Sequence, residues 1–352
     1  MAGVRYRCLN PLRVLQARGY PIELYDPVRA DRYSAVLFQA LCCRQDPANR
    51  NSGDYILDEA TRLRDRGVSI LIDECDNHFF NPKQDSAWVE TASRIRSLIG
   101  ISDHLVASTS AVADVLRAEG GKDKPISIIG DAVESGDELD EDPTWKRLLS
   151  WRRKFAQFKQ TMLRQRLASQ HRQGMTHLVW YGNHGTSYAD GGMLDLLKVK
   201  ELLERLNHQY PLSLTVISNN EQKFQKHIAH WDIPTRYVEW DKVTFLPLLR
   251  AHDIALIPVS RNPFTICKSN NRLTLALNEG LAVVADSIPS YQEFSSACHL
   301  DNWEYGLQSY LESETLRREH VSHGRNIIAS KWMIAGVATE WERLFDLITI
   351  LA

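Results

Sequence analysis

Hydrophobic positions along this chain fall into short continuous runs separated by stretches in which they recur every three or four residues. The runs at 21–26, 34–39, 69–74, 104–108 and 126–130 are bounded by turn residues, which predicts buried strands. Between them, 11–19 ("PLRVLQARG"), 55–67 ("YILDEATRLRDRG") and 110–121 ("SAVADVLRAEGG") read as amphipathic helices ending at glycines that can cap them. The second half repeats the alternation, with strands expected at 177–183, 212–218, 235–240, 253–259 and 281–286. Strand and helix alternating in this way imply parallel β-α-β units. The expected fold is therefore α/β, with two doubly wound Rossmann-like domains facing across a cleft and ligands beyond the carboxyl ends of the strands.

The middle of the chain departs from this rhythm. Residues 131–143 carry seven acidic side chains, from Asp131 to Asp142, and read as a solvated linker. From 144 to 173 the sign reverses: Lys146, Arg147, Arg152, Arg153, Lys154, Lys159, Arg164, Arg166 and Arg172 occur without one acidic residue, and apolar residues fall near helical spacing. A long basic amphipathic helix is expected, packed between domains or lying on an anionic membrane surface. The division is thus 1–142, a connecting helix over 143–173, and 174–352.

At 352 residues and 43% hydrophobic content the chain can fill two cores, and its formal charge of -2 gives no global attraction to nucleic acid. Its six cysteines form no Cys-x-x-Cys, which favours reduced, structural thiols and a cytoplasmic location. No apolar run reaches the roughly 18 residues needed to span a bilayer, and the first residues lack the apolar core of a signal peptide.

Three stretches carry candidate chemistry. The turn "GNHGTSYADGG" (182–192) follows an expected strand, and its glycines let backbone amides approach a phosphate; Gly182, Asn183 and His184 lie at its start. Lys268 and Arg272 are four apart, so a helix beginning near Ser269 would set both on one face of its positive end, an unfavourable pair unless an anion answers it. A diphosphate is such an anion. In "IDECDNHFF" (72–80), Asp73, Glu74, Asp76 and His78 follow an expected strand of the first domain and could orient an acceptor hydroxyl or take its proton. The same cluster could instead be a hydrogen-bonded loop capping the next helix. No second acidic cluster answers it, so no metal site is expected.

The stretch from Lys268 to Ala285 resembles the GT-B glycosyltransferases, in particular retaining nucleotide-sugar enzymes related to glycogen and sucrose synthases and bacterial polysaccharide transferases. Lys268, Ser269, Arg272, Leu273, Gly280, Val283, Val284 and Ala285 stand where those enzymes have matching residues. Residues 103–117 look like the stretch that closes the family's acceptor domain, and 19–27 like its second strand. The resemblance implies metal-independent, configuration-retaining transfer of a sugar from a nucleotide-diphosphate sugar to a glycan or other hydroxyl acceptor, possible in cell-surface polysaccharide or glycoconjugate synthesis, without a cofactor. By it, Arg272 holds the diphosphate and the Gly182–Asn183 turn faces it; spacing adds Lys268 to that site, and a place at a strand's carboxyl end gives Asp76 and His78 the acceptor side. The family's paired glutamates fall here at Cys267 and Leu275, so ribose would be held otherwise, by Ser269, Asn270 or Asn271. Two further readings follow: a non-catalytic GT-B subunit binding a partner transferase or a glycan, and a nucleotide-sugar-processing enzyme such as an epimerase.

Overall fold

The computed structural model describes residues 4–44, 52–133, 151–186, 189–242 and 244–351. Nine of the ten expected strands form, as parts of two wholly parallel sheets. The first contains β1 (Ala35–Gln39), β2 (Ser69–Glu74), β3 (His104–Ala107) and β4 (Ile126–Ile128), in the order β1-β2-β3-β4. The second contains β5 (Thr176–Tyr181), β6 (Leu212–Ser218), β7 (Thr235–Glu239), β8 (Ile254–Ile257), β9 (Ala282–Ala285) and β10 (His299–Leu300), in the order β10-β9-β8-β5-β6-β7. The reversal between β5 and β8 marks the crevice in which such sheets hold ligands.

Each sheet is covered on both faces, which explains why its central strands are continuous apolar runs. All seven residues of β6 are buried, as are the last five of β2. The final helix, Ile334–Leu351, returns to the first sheet, where Val337, Trp341, Leu344 and Ile348 pack on Leu15, Leu71 and Val106. Their spacing of three or four residues makes one apolar face.

Residues 21–26 do not form the expected strand. The side chains that anchor this segment, Ile22 and Tyr25, are three apart and enter different cores, so no face alternates with the period a strand needs, and Leu24 is exposed. Asp131 is likewise no part of a solvated linker: it is buried beside Arg7 and accepts a 2.7 Å hydrogen bond from Ser269. The rest of the acidic stretch, 134–143, and residues 144–150 of the expected basic helix lie outside the described residues. A helix does run from Trp151 to His171. It packs on the second domain through Leu163 and Leu167, whose carbonyl meets His177 Nε2 at 2.8 Å, and leaves Phe158 and Met162 exposed. No described helix is long and apolar enough to cross a membrane.

Candidate functional site

The carboxyl end of β5 and the helix Asn271–Glu279 meet at Arg272. Gly280, in the left-handed region at φ +98°, ends that helix and turns the chain into β9, which needs a residue without a Cβ. At the other end Arg272, the second residue of the helix, is fixed through its backbone carbonyl, which accepts from the Tyr181 hydroxyl at the end of β5. Its half-buried guanidinium lies along Gly182, with Nη1 3.6 Å from the place a Cβ would occupy. Gly182 has φ +151°, so a residue with a Cβ there would be strained, while that Cβ would meet the arginine at ordinary van der Waals distance.

Around this cation the protein supplies phenols and one carboxylate. Burial pushes the Tyr291 hydroxyl pKa up, against the pull of Arg272. Burial also raises the pKa of Asp195, opposed by its hydrogen bond with Ser260 and by Arg272. Asp195 accepts from the backbone amides of Gly192 and Ser260 at 2.9 and 3.1 Å, so it ties the glycine turn to the loop after β8. No carboxylate partners Arg272 in an ion pair among the described residues, and it adds its charge to the amino end of a helix, where anions are favoured.

The glycine turn is braced from below. Gly185 N donates to Asn183 Oδ1 at 3.1 Å, and Asn219 Oδ1 takes both His184 N, at 3.1 Å, and His184 Nδ1, at 2.9 Å. Lys223 Nζ donates to the His184 carbonyl at 3.0 Å, bringing a second cation to the turn. Sequence reasoning missed Lys223, Asp195 and Tyr181. Tyr181 and Asp195 flank the turn in sequence, whereas Lys223 arrives from the helix after β6 and left no local signal.

Lys268 is placed differently from expectation. The helix begins at Asn271, and Lys268 has extended backbone, φ −62° and ψ 144°, three residues earlier. It therefore does not share a helical face with Arg272. Its Nζ lies 3.9 Å from the centre of the Phe264 ring and 2.6 Å from Asp76 Oδ1 in the opposite domain. The whole loop docks there: Asn77 Nδ2 donates to the Pro263 carbonyl at 2.9 Å, Thr109 Oγ1 to the Cys267 carbonyl at 3.2 Å, and Ser269 Oγ to Asp131 Oδ2 at 2.7 Å. Cys267 itself belongs to the core of the first domain, while Leu275, 8% exposed, belongs to that of the second. The positions of the family's glutamates are thus apolar packing positions in this chain. Asn271 is half-buried at the first turn; Asn270 before it is buried, bonds Glu293 at 3.1 Å, and leaves its Oδ1 without a partner among the described residues.

Across the cleft, β2 ends in Asp73 and Glu74. Glu74, 1% exposed, accepts from Cys75 N at 2.9 Å and Asp76 N at 3.3 Å through Oε1, which also meets His78 Nδ1 at 2.8 Å; its Oε2 has no partner among the described residues. His78 is buried and stacked on Trp88, with centroids 5.5 Å apart and planes 5° from parallel. Burial works against its protonation, but the Glu74 carboxylate and then Asp76 outweigh that and raise its pKa, with Lys268 opposing. Of the cluster read from sequence, Glu74, Asp76 and His78 are therefore one connected unit whose accessible member is Asp76, not His78, while Asp73 pairs with Arg7. Among the described residues no group of three His, Cys, Asp or Glu side chains is arranged to hold a metal ion.

No family model and no curated protein sequence matches the chain. Solved structures do. Sucrose-phosphate synthase from Thermosynechococcus elongatus superposes with a TM-score of 0.58 at 13% identity, over 91% of this chain and 75% of that one. Anabaena HepE, in complex with UDP and glucose, gives 0.63 at 10% identity over 98% and 96%. The UDP-forming α,α-trehalose-phosphate synthase from Burkholderia vietnamiensis gives 0.54 at 12% over 96% and 74%. At these identities the likeness is one of fold, and the fold is the two-domain GT-B architecture.

Proposed function

We propose that the protein transfers a sugar from a nucleoside-diphosphate sugar to a hydroxyl acceptor across the cleft between its domains. The observation that carries this reading is Arg272, held by Tyr181 at the amino end of a helix and laid against Gly182 at the β5–β8 crevice. Breaking the bond between the anomeric carbon and a diphosphate leaves negative charge on the departing group. A fixed guanidinium and helix-end amides stabilise that charge without having to reorganise. The acceptor belongs on the opposite wall, where Asp76 is the reachable carboxylate and His78, through Glu74, fixes the loop that carries it. UDP and glucose in the HepE complex support this class of donor for a shared fold.

The buried, apolar character of Cys267 and Leu275 favours one alternative, a non-catalytic GT-B subunit that binds a partner transferase or a glycan in place of the nucleotide. A thermal-shift panel of nucleoside diphosphates and their sugars separates the two. A ligand that binds only the folded protein raises its melting temperature, by an amount corresponding to about 2.7 kcal/mol at a hundredfold excess over Kd. No shift with any member of the panel would end the transferase reading and leave the non-catalytic one. A shift with a nucleotide sugar would instead remove the non-catalytic reading.

His78→Ala should cost about 1–3 kcal/mol of stability, because it leaves the buried Glu74 carboxylate without its side-chain partner. The sign with pH follows from the raised pKa. Stabilisation from His78 is fully present below its unfolded value of about 6.5 and is lost as pH rises through the higher folded value. Urea midpoints of wild type and variant should therefore converge on going from acidic to alkaline buffer. A difference that stays constant with pH would remove the charged pair from the account.

A further inference from the structure

Lys268 is the one residue of the expected diphosphate site whose charged atom is engaged by the other domain. Its partner in the ion pair, Asp76, is the carboxylate that the acceptor side would use. Their side chains are 33% and 26% exposed, so the pair is neither a sealed core bridge nor a free surface contact. The backbone beneath Lys268 is pinned by Thr109 on the preceding carbonyl and by Ser290 Oγ, which donates to the Lys268 carbonyl at 2.7 Å. Only the side chain is left to move. Its ammonium is a compact point charge on four rotatable bonds, able to change partner without any change in the loop.

We propose that Lys268 is a shared cation which passes from Asp76 to the diphosphate when donor binds, and that this exchange orders the two substrates. A diphosphate carries more negative charge than one carboxylate and attracts the ammonium more strongly at equal distance. Once it takes Lys268, the Oδ1 atom of Asp76 is released to accept a hydrogen bond from an acceptor hydroxyl. Before that, Lys268 Nζ holds Oδ1 and offsets the carboxylate's charge, which leaves it a weaker anchor for the acceptor. Donor thus precedes acceptor, and the Lys268 side chain, reaching from the pinned loop 263–269, transmits the order. The proposal rests on reading the second domain as a nucleoside-diphosphate site. It adds that Asp76 competes with the donor, an effect opposite in sign to what a residue that merely supports the site would have.

The test is calorimetric titration of inorganic pyrophosphate and of uridine diphosphate into the full chain and into Asp76→Asn, Asp76→Ala, Lys268→Met and Asp76→Asn/Lys268→Met. Melting temperatures are taken in parallel, so that misfolding is not read as weak binding. Removing the Asp76 charge should tighten binding of both probes about 3- to 5-fold, the span expected for a partly screened pair. Lys268→Met should weaken binding, and in its background Asp76→Asn should change nothing, since the two substitutions act on one interaction. Unchanged or weaker binding in folded Asp76→Asn, or equal tightening in the Lys268→Met background, overturns the exchange while leaving the donor site intact. If neither probe binds wild type or any variant, the reading of the site fails and the exchange fails with it. If wild type does not bind but Asp76→Asn does, competition by Asp76 is supported in its strongest form.

Discussion

Replacing Arg272 with alanine should weaken the binding of nucleoside diphosphates by about 1.5–3 kcal/mol, roughly 10- to 150-fold. The figure is that of a hydrogen bond to a charged group, and the geometry argues for its upper half. The guanidinium lies half-buried between Gly182 and the two phenols Tyr181 and Tyr291, where solvent screens it less than at an open surface. Its position is set in advance, because Tyr181 holds the residue's carbonyl and the guanidinium lies along Gly182. That bond uses the backbone, so Arg272→Ala keeps it and should fold normally. Arg272→Lys separates charge from shape: it retains the cation but not the planar fork, and should fall between wild type and Arg272→Ala. Calorimetry on the three proteins decides the matter. Equal affinity in all three would mean that the diphosphate, if bound, lies elsewhere.

What the sequence disclosed about this fold followed the physical strength of its signals. Central strands such as β6 are covered on both faces, so they appear as unbroken apolar runs and were legible. Residues 21–26 imitate such a run, yet Ile22 and Tyr25 anchor in two different cores, and composition carries no record of which core a side chain enters. The two-residue strand β10 is too short to carry a period at all. In the site, Gly182 and Arg272 were both visible, and the structure brings them together because strand order, unlike sequence, makes β5 the neighbour of β8. The direction of Lys268 was not visible, since its partner Asp76 lies in the other domain, 192 residues away. Asp131 illustrates the same limit: beside other acids it reads as solvated, but a buried arginine far upstream and Ser269 far downstream take it inside.

That arginine is where the largest effect on stability is expected. Arg7, fully buried, donates through Nε to both oxygens of Asp73 at 3.1 Å, bonds the Ile129 carbonyl, and stands 3.4 Å from Asp131. One cation therefore serves two buried carboxylates beneath the cleft, and the ring of Trp341 lies 5.3 Å from its guanidinium carbon. Removing one member of a buried pair costs about 3–5 kcal/mol, because the charge left behind has lost both water and partner. Arg7→Met keeps much of the volume and should show that loss in full. Burial raises the pKa of Asp131, and Arg7 opposes the rise; without Arg7 it goes further. A carboxyl with a raised folded pKa contributes stability at low pH that disappears as pH climbs through that value, so the variant should suffer most near neutrality and less in acid. Ser269 bonds Asp131 directly, so the loop carrying Lys268 should loosen along with the core. Denaturant melts of wild type and Arg7→Met at acidic and neutral pH check both the size and the sign. A deficit below about 1 kcal/mol, or one that grows as the pH falls, would show that the network is not held by this charge.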